Sequence, residues 1–203
     1  MSDQLCVRLG IDVPVYQAGM GGVAGPELAA GVSNAGGLGH LGCIRRSAED
    51  TRAWIREAKA LTDKPFGVNL VPPGGGVDGF EAQLAVVLEE KPAVLSLFWG
   101  EFSDAISRAH DAGIVTMVQI GSADEAKRAA DAGADVLIAQ GTEAGGHVRG
   151  ESKLADLLGR VIEAVAPLPV LAGGGLSTAD DVSAVMRNGA AGPWVGTRFI
   201  ATQ

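Results

Sequence analysis

The sequence predicts an α/β fold, a parallel (β/α)8 barrel of the TIM type, and three observations predict it. Eight short apolar runs bounded by Gly or Pro recur every 20–34 residues along the 203-residue chain. They read as nearly continuous hydrophobic segments rather than alternating ones, the pattern of strands buried on both faces of a parallel sheet. Most intervals between them carry helix-start and helix-stop residues, and eight such strand-then-helix repeats favour a closed barrel over an open doubly wound sheet.

The first strand is expected at residues 13–17, followed by a helix through 28–33 with Pro26 in its first turn and Gly36 beyond its end. The second, 38–42, leads to a helix opened by Ser47 with Asp50 three residues on. Residues 66–70 and 94–98 form the third and fourth strands; Ser103 opens the helix after the fourth and Gly113 stops it. The fifth strand, 114–119, precedes a helix that begins with Ser122 and Glu125 at capping-box spacing and ends at Gly133. Residues 136–139 and 170–172 are the sixth and seventh strands, after which Ser177 or Thr178 opens a helix that stops at Gly189. The eighth run, 194–199, lies at the end of the chain, so no eighth helix is expected. Residues 1–203 read as one domain lacking a C-terminal helical segment.

Composition narrows the function. The 30 glycines are about twice the usual share of ~7% and point to tight strand–helix corners or to backbone that approaches a ligand. A net charge of -8, with no basic stripe, argues against nucleic acid and for a small-molecule partner. Cys6 and Cys43 cannot make a disulfide framework, and the three histidines lack zinc spacing, so no metal is expected. The N-terminal stretch carries Asp3 and Arg8 and lacks a signal-peptide core, and no run of apolar residues is long enough to span a bilayer. A cytoplasmic protein without membrane association is expected.

In a β/α barrel the site forms at the C-terminal ends of the strands. There this chain places Gly19, Met20, Gly21 and Gly22 after the first strand and Asn69 at the end of the third. Gln140 and a Gly145-Gly146-His147 run follow the sixth, Gly173 to Gly175 end the seventh, and Gly196 and Thr197 lie in the eighth. Loops after strands seven and eight commonly hold phosphate on backbone N–H groups; the plainer reading of these glycines is that they only make turns. His147 is the catalytic candidate, because an imidazole with an ordinary pKa near 6.5 suits proton abstraction at neutral pH; otherwise it is a solvated loop residue. Asn69 and Gln140 offer donor and acceptor groups to a ring edge. His40 is a candidate for the site's border, whereas His110 reads as a surface residue. Glu143 either orients His147 or is a solvated loop carboxylate. Trp99 and Phe102 either wall an apolar pocket or pack beneath a loop.

Four segments carry a family resemblance: PVYQAGMGGVAGPELAAGVSNAGGLGHLG (14–42), PFGVNL (65–70), AQGTEAGGHVRG (139–150) and PVLAGGGLSTADDVSAVMRNGAAGPWVGTRFIAT (169–202). Together they resemble the nitronate monooxygenase (2-nitropropane dioxygenase) family, related to flavin-type enoyl-[acyl carrier protein] reductases. The resemblance implies an FMN-dependent oxidoreductase, with FMN held by Met20, Asn69, Gln140, Gly145, Gly174 and Gly175 together with Trp194, Val195, Gly196 and Thr197. Gly196 and Thr197 would lie near the phosphate. His147 matches the family's active-site histidine, which takes the acidic proton beside a nitro group or stabilises the nitronate. Electrons would pass through the flavin to dioxygen, giving a carbonyl compound and nitrite. The chain departs from the family pattern at Gly19, where Pro is usual, at Trp194, where Gln is common, and in lacking the helices that follow strand eight. Three alternatives stand beside this reading. They are an NAD(P)H-dependent flavin enoyl-[acyl carrier protein] reductase, an inosine-monophosphate-dehydrogenase type enzyme, for which Cys43 is poorly placed, and an inactive flavin-binding fragment.

Overall fold

A computed structural model describes residues 2–72, 79–98 and 100–201. The elements follow in chain order: α1 (Ser2–Leu9), β1 (Tyr16–Gln17), α2 (Pro26–Asn34), β2 (Gly39–Gly42), α3 (Ala48–Leu61), β3 (Phe66–Leu70), α4 (Phe80–Glu90) and β4 (Val94–Phe98). They continue with α5 (Ser103–Asp111), β5 (Val115–Ile120), α6 (Ala123–Asp131), β6 (Val136–Gln140), α7 (Leu154–Val165), β7 (Val170–Gly173), α8 (Ala179–Arg187), β8 (Gly192–Val195) and α9 (Thr197–Ile200). The strands pair in parallel from β2 through β8 in sequence order, and β8 pairs with β1. A bridge between Tyr16 and Leu38 and the bond from the Gln17 N–H to the Leu38 carbonyl, 2.9 Å, bring β1 back beside β2. The sheet is thus a TIM-type barrel, as the repeats predict.

Helix ends follow the expected chemistry with small shifts. The Ser47 hydroxyl accepts the Asp50 N–H at 3.0 Å, and that of Ser122 accepts the Glu125 N–H at 3.2 Å. The Glu125 carboxylate reaches back to the Gly121 N–H rather than to Ser122, so the box is open by one residue. Thr178, not Ser177, caps α8, in a complete box with Asp181. Gly113, Gly133 and Gly189 end their helices with φ of 77°, 92° and 93°, conformations that cost glycine little.

The two ends of the chain depart from expectation. The eighth strand stops at Val195, because its partner β7 ends at Gly173, whose register mate is Trp194. Beyond it the Gly196 carbonyl accepts the Phe199 N–H at 2.8 Å, and residues 197–200 wind into the one-turn helix α9, so a helical turn does follow the last strand. The first strand is also shorter than expected, and the helix preceding it, α1, was not foreseen.

Two cores result from the strand alternation. One, with Leu41, Val68, Leu97, Val118 and Ala172, packs outward against the helices. The other fills the barrel and joins Leu5, Cys6 and Leu9 of α1 to Leu38, Val94, Met117, Leu171 and Trp194. Helix α1 therefore plugs the N-terminal end. Arg8 on it pairs with Asp135, which also accepts the Thr116 N–H at 2.8 Å and meets His110 Nε2 at 2.9 Å. Cys6 and Cys43 are buried and free. Among the described residues, no helix is long and apolar enough to cross a membrane, and no group of acids, His or Cys could hold a metal ion.

Candidate functional site

At the opposite, C-terminal end of the strands lies a cavity of about 1120 Å³. Met20, Asn69, Gln140 and His147 line it together with Gly145, Gly174, Gly175 and the stretch Trp194, Val195, Gly196 and Thr197. Every residue that the sequence nominated for the cofactor or the chemistry thus faces a single space.

Each wall has a local cause. Asn69 is the penultimate residue of β3, and its Nδ2 donates to Ser96 Oγ at 3.0 Å and to the Ser96 carbonyl at 3.2 Å, which fixes the amide. Gly19 is required opposite it, since a Cβ there would overlap the Asn69 side chain. Gln140 ends β6 and is 6% exposed; its Nε2 donates to the His147 carbonyl at 2.9 Å. That bond ties the loop carrying the exposed His147 to the barrel wall. The buried Gln140 Oε1 has no partner. Leaving such an acceptor unpaired costs about 1–3 kcal/mol, so a ligand donor there has a free-energy reason to bind.

The glycines admit close approach. Gly145 brings its loop against α9, where an added Cβ would stand 2.5 Å from Thr197 Oγ1. Gly175 has φ of 67°, and a Cβ there would come within 3.2 Å of Glu143. A Cβ at Gly196 would meet Met20 Sδ at 3.3 Å. Side chains at these positions would fill the cradle.

Several candidates change role. Glu143 accepts the Leu154 N–H at 3.0 Å and so caps α7, whose N-cap Lys153 supplies no side-chain bond. His40 does not line the cavity. It is fully buried inside the barrel, edge-on to Trp194 at 4.7 Å between centroids, with both ring nitrogens unpartnered. Burial pushes its pKa down to about 3, against a smaller upward pull from the polar backbone of nearby Leu38 and Gln17. The imidazole is therefore neutral. Gly67 makes room for it, since any Cβ there would overlap the ring. Phe102 packs against the outer core beneath α5; Phe98 lines the cavity instead, and Trp99 lies outside the described residues. Three charged cavity residues escaped the sequence reading: Arg45, Arg46 and Arg198. The signal available was an arginine pair directly after the second strand of an acidic chain.

The nitronate monooxygenase family model matches residues 3–76 and 74–203. The chain belongs to the nitronate monooxygenase family. It is 37% identical to a nitronate monooxygenase of Paraburkholderia phytofirmans over 99% of this chain and 68% of that protein. It is also 40% identical to the (3aS,4S,5R,7aS)-5-hydroxy-7a-methyl-1-oxo-octahydro-1H-indene-4-carboxyl-CoA dehydrogenase of Rhodococcus jostii, over 96% of this chain. The chain spans 54% of that relative's length. Among solved structures, FabK from Thermotoga maritima superimposes with a TM-score of 0.93 at 34% identity, covering 98% of this chain and 62% of FabK. Trp194 is 6% exposed, lines the cavity and belongs to the barrel's inner core, so an indole forms part of the cavity floor.

Proposed function

We propose that this chain binds FMN at the C-terminal end of its barrel and oxidises alkyl nitronates or nitroalkanes with dioxygen, giving a carbonyl compound and nitrite. One observation carries this reading: the glycine cradle, the fixed Asn69, the orphaned Gln140 acceptor and His147 all face one cavity. The set fits a flavin. An isoalloxazine ring has an imide N–H edge for Gln140 Oε1, and a phosphate suits the open backbone around Gly174, Gly175, Gly196 and Thr197. When bound, FMN supplies the two-electron acceptor that dioxygen reoxidises.

The protein's own contribution is positioning and proton transfer. Gln140 anchors the His147 carbonyl, so the imidazole is held on a loop tied to the barrel rather than on a free one. In the proposed role, an imidazole nitrogen of His147 takes the proton from the carbon bearing the nitro group, and Trp194 forms part of the floor on which the ligands rest. A nitronate arrives already deprotonated and has no need of that base.

A second reading, flavin-mediated redox chemistry on an acyl thioester, is favoured by the likeness to FabK and to the CoA dehydrogenase. One comparison separates the two. The FMN-loaded chain is assayed for oxygen uptake and nitrite with ethyl nitronate, and for NADH or NADPH oxidation with crotonyl-CoA. Nitrite formation without thioester-dependent oxidation of the nicotinamide supports the first reading; the reverse result replaces it with the second.

A further inference from the structure

We infer that the loop between β2 and α3 forms a second anion subsite, in which Arg45 and Arg46 receive a carboxylate or phosphate carried by the substrate. The inference rests on the cavity being the flavin site. It begins with charge. The chain carries a net -8, yet the charged side chains on the cavity wall are Arg45, Arg46, Arg198 and Glu143. Glu143 is occupied in capping α7. Elsewhere most arginines are matched with acids, as in Arg8 with Asp135, Arg52 with Glu89 and Arg108 with Glu81. Among the described residues the three cavity arginines have no acidic partner. An acidic protein that places three arginines without acidic partners around one cavity presents that cavity to anions.

One of the three has a partner in the proposed cofactor. Arg198 follows the Gly196 and Thr197 backbone assigned to the FMN phosphate. Arg45 and Arg46 come from a different part of the rim, separated from β8 by β1, and call for a second negative group.

The loop is built to hold them. Gln83, 2% exposed on α4, donates through Nε2 to the carbonyls of Cys43 at 2.6 Å and Arg46 at 2.9 Å. The Arg46 N–H closes a turn onto the Cys43 carbonyl at 3.2 Å. Arg45 has φ of 59°, a conformation uncommon for a residue with a Cβ. The Arg46 guanidinium lies 3.1 Å from the centroid of the Trp54 ring, and its buried Nε has no hydrogen-bond partner. Stacking occupies the face of the guanidinium and leaves its in-plane N–H groups for a planar oxyanion, an arrangement that lysine cannot reproduce.

The test uses the purified chain, with and without FMN, and two probe pairs. ω-Nitrobutanoate against nitrobutane tests the carboxylate arm, and coenzyme A against dephosphorylated pantetheine tests the phosphate arm. Affinity is measured by calorimetry and by the emission of Trp54, the ring beneath Arg46. The subsite predicts a preference of roughly tenfold or more for at least one charged probe over its neutral analogue. Arg45→Gln and Arg46→Gln should erase that preference, and Arg46→Lys should restore only part of it. Equal affinity for charged and neutral probes in both pairs, or a preference that survives both substitutions, overturns the subsite. An arginine-dependent preference in a chain that takes up no FMN upholds the subsite while removing the flavin reading. FMN uptake without any preference does the opposite.

Discussion

At the N-terminal end of the barrel, Leu5, Cys6 and Leu9 of α1 fill the opening, and Arg8, His110 and Thr116 converge on Asp135. At the C-terminal end the strands open into a cavity of about 1120 Å³ bordered by glycine, with an unpartnered Gln140 oxygen and arginines that face no acid. The same eight strands feed both ends. The difference lies in whether polar groups find partners within the chain: one end spends its side chains on closing the fold, and the other keeps donors, acceptors and space for something that is not protein.

That contrast can be broken by substitutions confined to one end. The largest expected effect is at Gly196, whose φ of -111° is open to any residue, so a side chain there tests space rather than backbone strain. Gly196→Val should weaken FMN binding by about 100-fold or more, roughly 2.7 kcal/mol, with little change in thermal stability. Full flavin occupancy in this variant would show that the cradle is not where the cofactor sits. Next, His147→Ala should lower turnover of a neutral nitroalkane by about 10²–10⁴-fold while FMN stays bound. Nitronate turnover should fall less, and unchanged nitroalkane turnover removes the base role.

At the closed end, Leu5→Ala should cost about 2–4 kcal/mol in denaturant unfolding, the usual penalty for a cavity in a packed core, and leave the FMN dissociation constant of the folded protein unchanged. Coupled loss of FMN affinity in that folded variant would contradict the separation of the two ends. The buried ring beneath the cavity floor is tested by a pH slope from His40. Its pKa is 6.5 when unfolded and about 3 when folded, so below pH 6.5 the unfolded chain binds a proton that the folded one refuses. Stability should therefore fall as pH drops from 6.5 toward 3, fully retained above that window. His40→Leu should flatten the slope in the upper part of the window, before carboxylates protonate. Identical slopes in the two proteins would mean that the ring is not held neutral.

The fold was legible because burial on both faces of a parallel strand leaves an apolar run that turn residues bracket. The exceptions have physical causes. Residues 195–200, VGTRFI, have the β-branched and aromatic content of a strand, but β7 offers no partner beyond Gly173, so the chain turns into α9. Helix α1, SDQLCVRL, depends on what it plugs, with Leu5, Cys6 and Leu9 packed into the barrel's inner core. The site's glycines, Asn69, Gln140 and His147 were legible because barrel geometry gathers strand ends. Arg45 and Arg46 were not, because a pair of arginines before a helix ordinarily reads as a solvated surface, and only the packing of Gln83 and Trp54 turns them toward the cavity. The neutral state of His40 depends in the same way on Gly67, one strand away, leaving space for its ring.

Whether the open end of the barrel binds a flavin is read most directly from the visible absorbance spectrum of the purified chain, followed by mass identification of any released chromophore. A flavin spectrum whose chromophore is FMN, or its appearance when FMN is added to the colourless chain, is expected. A colourless chain that takes up no FMN on titration would contradict the flavin reading.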